Sequence, residues 1–181
     1  MTTKIIQSDS VFQGKVFDVR IDRIENPAGK TQRIDYIQHV DGVTIIPIDE
    51  NNQILFVRQY RHPSGEELLE LPAGSLEAGE DPESCARRES REEVGMAPAK
   101  LQHLGGTYLA PGYSSEYLHY FLAKDLSPAP LPPDEDEDIT IIRLSWEEAL
   151  RKVTQNEIRD AKSVAGIFLA GMYLGKWDTG V

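Results

Sequence analysis

Cysteine is nearly missing from this sequence: Cys85 is the single one in 181 residues. That excludes an intrachain disulfide framework and a cysteine-rich zinc site, and it fits a reducing compartment, with the cytoplasm as the default location. Long apolar runs are missing as well. The most apolar stretch, 164–175, has twelve residues, well short of the roughly 20 that a transmembrane helix needs. The opening MTTKIIQSDSVF has one lysine and no apolar run ahead of a small-residue cleavage site, so it does not read as a secretory signal. Basic residues are scarce, 19 against 30 acidic ones, for a formal charge of −11. This balance argues against tight non-specific binding to nucleic acid or to anionic membranes, and a polyanionic substrate would need metal cations to approach. The four histidines, His39, His62, His103 and His119, have no close ligand spacing and are assigned no chemistry.

What is present suits one domain: the length is near that of a single compact unit, and 40% hydrophobic residues supply a core. No internal repeat or clear linker interrupts it. Phe17, Val19 and Ile21 alternate with Asp18, Arg20 and Asp22, the period of a half-buried strand. Further strands are expected over about 31–40, 43–48 and 54–60, the last two joined as a hairpin across Glu50-Asn51-Asn52. Two more are expected at about 102–108 and 117–123, linked by the loop 109–116. The Pro-rich, acidic segment 127–138 reads as a solvated loop. A strand at 139–144 leads to a helix whose start carries the capping-box pair Ser145 and Glu148. A last helix is expected over about 160–177.

The best-delimited element is a helix over 82–94, with Asp81 as N-cap, Pro82 in the first turn and Gly95 where a left-handed cap belongs. Seven of its thirteen residues are charged, too many for an ordinary packing stripe. Glu89 and Glu93 stand four apart, on one face, with Glu92 on the adjacent ridge. Such crowding costs a few tenths of a kcal/mol per like-charge pair unless a cation relieves it. Oxygen-only donors favour a hard ion such as Mg²⁺ or Mn²⁺. On charge pattern alone, a solvated helix with Arg88–Glu92 and Arg87–Glu83 pairs is the simpler reading. The full register shifts that balance: Gly74, five residues, Glu80, seven residues, Arg88-Glu89, two residues, Glu92-Glu93, one residue, Gly95.

That register resembles the Nudix box, the signature of hydrolases acting on a nucleoside diphosphate linked to another moiety. The resemblance implies an α/β fold, an α/β/α sandwich with a mixed β-sheet and an N-terminal β-stretch. It implies that Glu89, Glu93, Glu92 and the carbonyl of Ala73 hold more than one Mg²⁺ or Mn²⁺. Gly74, Glu80, Arg88 and Gly95 would support the box, with Arg88 pairing Glu80. Ser90 departs from the aliphatic residue usual there, so looser helix packing is expected.

VRQYRHP (57–63), ELPAG (70–74), RDAKS (159–163) and Pro111, sixteen residues after Gly95, extend the resemblance to the ADP-ribose pyrophosphatase branch. The implied reaction splits ADP-ribose into AMP and ribose 5-phosphate. Hydrolysis of another nucleoside diphosphate sugar, such as GDP-mannose, is the alternative, and a non-catalytic nucleotide-sensing module is a third reading. Glu116, in the loop after Pro111-Gly112, is a candidate general base able to swing over the metals, with Glu92 its rival. Arg61 is the candidate phosphate contact, against a structural pair with Glu70, and Glu77 is a candidate substrate-side or outer-shell ligand. The resemblance also implies a homodimer formed through residues 1–40, with the hydrolase domain at 41–181.

Overall fold

Alternating apolar and polar residues in the first forty positions produce an antiparallel sheet: β1 (Lys4–Gln13), β2 (Asp18–Glu25) and β3 (Thr31–Gln38), in that order. The turn between β2 and β3 closes on the Asn26 side chain, which accepts the amides of Ala28 and Lys30, while Gly29 takes φ 75°. The computed structural model describes residues 3–132 and 138–176, and the chain divides into two compact units. The first is this sheet with Tyr108–Tyr117; the second comprises Gly42–Thr107 and the chain from Leu118 onward. The division places the loop after residue 108 with the N-terminal sheet, a grouping that the single-domain reading of the sequence misses.

The second unit holds β4 (Gly42–Pro47), β5 (Ile54–Arg61), β6 (Glu66–Glu70), β7 (Ala73–Ser75) and α1 (Pro82–Glu93). These are followed by β8 (Met96–Tyr108), β9 (Tyr117–Pro128), β10 (Ile139–Leu144), α2 (Trp146–Thr154) and α3 (Ala161–Tyr173). A mixed sheet runs β7-β4-β9-β8, with β4 parallel to β9 and antiparallel to β7. A second, antiparallel sheet runs β10-β5-β6. The expected β4–β5 hairpin is therefore corrected. Its turn does form, with the Asp49 carboxylate accepting the amides of Asn51 and Gln53, but only the bridge Ile48–Ile54 joins the two runs. Both strands are buried on both faces along the turn-proximal stretch, so each becomes an interior strand of its own sheet. An apolar run without alternation carries no information about its partner.

Strand β4 sets the layers. Val43 and Ile45 pack with Cys85 and Ala86 of α1, whereas Ile46, on the opposite face, meets α3 near Gly166. The mixed sheet is thus covered on both faces, the α/β/α sandwich expected. A Cβ on Gly166 would lie 2.7 Å from Leu71 Cδ1, so glycine permits the close approach of α3 to the sheet. The capping box of α2 is present, with Ser145 and Glu148 exchanging hydrogen bonds. Helix α3 ends at Tyr173, short of the expected limit, where Gly175 turns left-handed at φ 64°; Trp177 lies outside the described residues. So does 133–137 of the expected acidic loop, whose first residues instead continue β9 to Pro128. Among the described residues no helix is long and apolar enough to cross a membrane.

Candidate active site

Helix α1 begins where its sequence says it should. The Asp81 side chain accepts the amides of Glu83 and Ser84, Pro82 needs no partner for a missing N–H, and Gly95 leaves the helix at φ 69°. Its inward face is Cys85, Ala86, Glu89, Ser90 and Glu93. Two of those are glutamates only 9% and 5% exposed. They face the short strand β7: the Glu93 carboxylate accepts the Ala73 amide at 3.0 Å. The Glu89 carboxylate fills the space beside Gly74, where a Cβ would sit 1.8 Å from its Oε1. Gly74 is thus required by proximity rather than by an unusual φ. Ser90 is fully buried, and its hydroxyl donates to the Met96 carbonyl at 2.8 Å. The looser packing expected there is replaced by a satisfied hydrogen bond that ties the helix end to β8.

Arg88 organises the outer side. It donates to both Glu80 oxygens at 3.0 and 2.9 Å, to Glu89 at 2.7 Å, to Glu92 at 2.8 Å and to the Ser75 carbonyl at 3.1 Å. The hydrogen bond from Arg88 is the main reason the Glu80 carboxyl is held below the usual carboxylate range. Glu80 in turn accepts the Glu77 amide at 3.0 Å, so Glu77 reaches the box through its backbone. One guanidinium facing three carboxylates leaves that quartet with a formal charge of −2. Among the described residues no three His, Cys, Asp or Glu side chains are gathered as a metal cage. The donor set, carboxylates of one helix facing the backbone of β7, is nonetheless all oxygen, which suits a hard divalent cation able to take over part of the role of Arg88. Cys85, beside the box, is fully buried; desolvation first, then the charge of Glu89, pushes its thiol up, the environment of a structural rather than a reactive cysteine.

Arg61 pairs with Glu70 in a two-pronged contact, Nε at 3.1 Å and Nη2 at 2.8 Å, with its side chain 39% exposed. Sequence reasoning missed the rest of this network. Lys162 also binds Glu70 and holds Asp160 at 3.0 Å, and the Ser163 hydroxyl accepts the Leu71 amide at 2.6 Å. The partners lie 92 positions apart, so no local pattern could pair them. RDAKS is therefore the bolt that joins α3 to β6. Burial pushes the Glu70 carboxyl up, but hydrogen bonds and charge from Arg61 and Lys162 together outweigh it and hold the group below 4.5. A carboxylate with a depressed folded-state pKa stabilises above its unfolded value, and that contribution is lost as pH falls through the folded value. Glu70→Ala, which removes one of the two carboxylates that Lys162 pairs with, is expected to cost about 1–3 kcal/mol near neutral pH. Urea titration should show the gap to wild type shrinking below about pH 4, in contrast to a constant gap if Glu70 contributes packing alone.

Glu116 belongs to the first unit, in a loop stitched to β3. Ile37 exchanges hydrogen bonds with Tyr113 and Ser115 at 2.8 and 3.0 Å, and the Ser115 hydroxyl bridges both backbone groups of His39. The loop backbone is hydrogen-bonded to β3 up to Ser115, and the Glu116 side chain that follows is half-buried.

A NUDIX domain profile matches residues 38–165. The chain is 36% identical over 166 residues to the ADP-ribose pyrophosphatase of Bacillus subtilis (strain 168), covering 91% of this chain and 90% of that protein. It is equally 36% identical, with the same coverage, to the methanol dehydrogenase activator of Bacillus methanolicus. The GDP-mannose pyrophosphatase of Yersinia enterocolitica is 30% identical, covering 83% of this chain and 84% of that protein. A crystal structure of an ADP compounds hydrolase superposes with a TM-score of 0.86 at 24% identity, covering 97% of this chain and 96% of that one, and shares the fold. With the box register placed on a strand–loop–helix unit and the profile spanning most of the sequence, the chain belongs to the NUDIX family and is a Nudix hydrolase.

Proposed function

We propose that the protein hydrolyses the pyrophosphate bond of ADP-ribose, giving AMP and ribose 5-phosphate. The observation that carries this is the pair of buried like-charged glutamates, Glu89 and Glu93, turned towards the Ala73–Gly74 backbone. Two carboxylates are not placed inward on one helix face for packing. They, with Glu92 and the Ala73 carbonyl, would hold Mg²⁺ or Mn²⁺, in more than one copy. Ions held by these residues would supply neutralisation of diphosphate charge and a lowered pKa for a water. Glu80 keeps Arg88 at the rim, so that Glu89 and Glu92 can be released to the ions without losing the loop that precedes α1. Arg61, oriented by Glu70, would meet a phosphate oxygen, and Glu77 would contact the substrate side of the box.

Glu116 and Glu92 are the two candidates for taking the proton from the attacking water. Glu116→Gln is expected to lower kcat by about 100-fold or more if Glu116 is the base. A rate within a fewfold of wild type assigns the role to Glu92. The relationship to a GDP-mannose pyrophosphatase supports a second reading, in which the same box serves a different base and sugar. Incubation with Mg²⁺ and ADP-ribose, GDP-mannose, ADP-glucose, NADH or diadenosine polyphosphates, with products separated by chromatography, distinguishes the two. ADP-ribose is expected to rank first by kcat/KM, and a far lower rank overturns the substrate assignment.

The N-terminal stretch, residues 1–40, is proposed as the homodimer element, with the hydrolase domain at 41–181. Strand β1 is exposed along its whole length and leaves Ile5, Ile6, Val11 and Phe12 between 47% and 61% accessible. An apolar edge of this kind favours a partner. Light scattering should give twice the chain mass. A cytoplasmic enzyme without nucleic-acid or membrane partners is the setting this composition fits.

A further inference from the structure

A cavity of about 430 Å³ opens beside β8, the edge strand of the mixed sheet, within the second unit. Its wall combines Leu101 and the buried Leu122 with the Tyr173 ring from the last turn of α3, and its polar groups include Arg87, Lys100 and Lys124. Among the described residues no carboxylate lines it. In a chain with 30 acidic and 19 basic residues, three cations line this cavity while the acids that pair with two of them, Glu83 and Asp125, lie outside its lining. Two of the three are steadied from outside: Arg87 donates to the Pro98 carbonyl at 2.7 Å and pairs with Glu83, and Lys100 pairs with Asp125 at 2.7 Å. Lys124 is half-buried, makes no ion pair with a described residue, and also borders a neighbouring hollow lined by Asp49, Glu50 and Asp125. Tyr173 is 56% exposed, with its hydroxyl donating to Gln102 at 3.4 Å, so its ring face is presented rather than packed away.

We propose that this cavity binds a small planar aromatic molecule carrying a phosphate, a mononucleotide being the simplest. The size lies within the usual range for ligand pockets. A flat ring suits the Tyr173 face and the leucine floor, since offset stacking adds to area burial. A phosphate suits the cations: the two lysines are mobile point charges, Lys100 able to leave the exposed Asp125, and Arg87, whose Nη groups already serve Pro98 and Glu83, adds its charge. An uncharged aromatic would put no anion among the cations lining the cavity, and a bare phosphate would leave Tyr173 and Leu101 wet. The site uses none of the box carboxylates, so it stands independently of the proposed reaction. It is joined to the box through α1, where Arg87 lines the cavity and Arg88, the next residue, clasps Glu80, Glu89 and Glu92.

The test is an amide NMR titration of the full chain in chelator-containing buffer, with AMP as the probe and residues 99–102 and 122–124 as reporters. Saturable shifts at those amides are expected. Adenosine and ribose 5-phosphate, each lacking one half of the ligand, should bind about tenfold or more weakly. Tyr173→Ala and Lys124→Glu should each weaken AMP by a similar factor, with amide spectra otherwise native and hydrolysis without added AMP unchanged. Tyr173 is on the exposed helix face, so its variant keeps the test valid even if Lys124→Glu fails to fold. No shift at these amides up to about 10 mM AMP overturns the proposal. Shifts untouched by both variants, adenosine binding as tightly as AMP, or decanoate binding more tightly than AMP overturn it as well, the last by showing an aliphatic carboxylate site.

Discussion

Glu93→Gln is expected to reduce kcat by more than 100-fold while leaving the fold within about 1 kcal/mol of wild type. Losses of 10–100-fold are usual for groups that only support a metal ligand, so removing the charge of a ligand itself should exceed them. The fold is spared because glutamine keeps the shape of the side chain and an oxygen that can accept the Ala73 amide. It also removes one of the negative charges crowded on α1, a small gain in the absence of metal. The measurement is steady-state hydrolysis of ADP-ribose beside thermal unfolding. A folded Glu93→Gln protein with near-wild-type turnover rejects Glu93 as a ligand.

Gly74→Ala separates geometry from charge. A methyl group there would lie 1.8 Å from Glu89 Oε1 and 2.0 Å from its carboxyl carbon, distances that no real contact reaches. What must yield is the tip of a flexible side chain rather than backbone, so stability should fall by only about 1–2 kcal/mol. Activity should fall much further, on the order of 100-fold, because the displaced group is a proposed metal ligand. The signature is a small change in melting temperature with a large change in kcat, partly recovered at high Mn²⁺ concentration if affinity is what was lost. Equal losses of stability and activity would mean that Gly74 serves the backbone alone.

How much of this was written locally in the chain differs from element to element. Helix α1 was legible because its limits are set by side chains that bond to their own neighbours: Asp81 to the amides of Glu83 and Ser84, and Gly95 by a left-handed φ. The capping box at Ser145 and Glu148 was legible for the same reason. The glutamates at 89, 92 and 93 were legible as a charge problem, since helical spacing alone puts them together. How Arg88 divides itself among Glu80, Glu89 and Glu92 was not, because several neighbouring acids compete for one guanidinium. Strand pairing was the larger gap. Apolar runs such as Val43–Ile46 and Ile54–Val57 suit any interior position, so the turn at Asp49 read as a hairpin although its flanking strands enter different sheets. The Glu70–Lys162 lock was invisible for a related reason: its halves meet only after α3 has docked.

The most direct measurement is an anomalous-scattering map from crystals grown with Mn²⁺ and a non-hydrolysable ADP-ribose analogue. Manganese peaks bonded to Glu89, Glu93 and the Ala73 carbonyl, beside the diphosphate and with Arg88 withdrawn to Glu80, are the predicted result. A map without peaks at those oxygens, with Arg88 still holding Glu89 and Glu92, would contradict the proposed metal-assisted hydrolysis at its root.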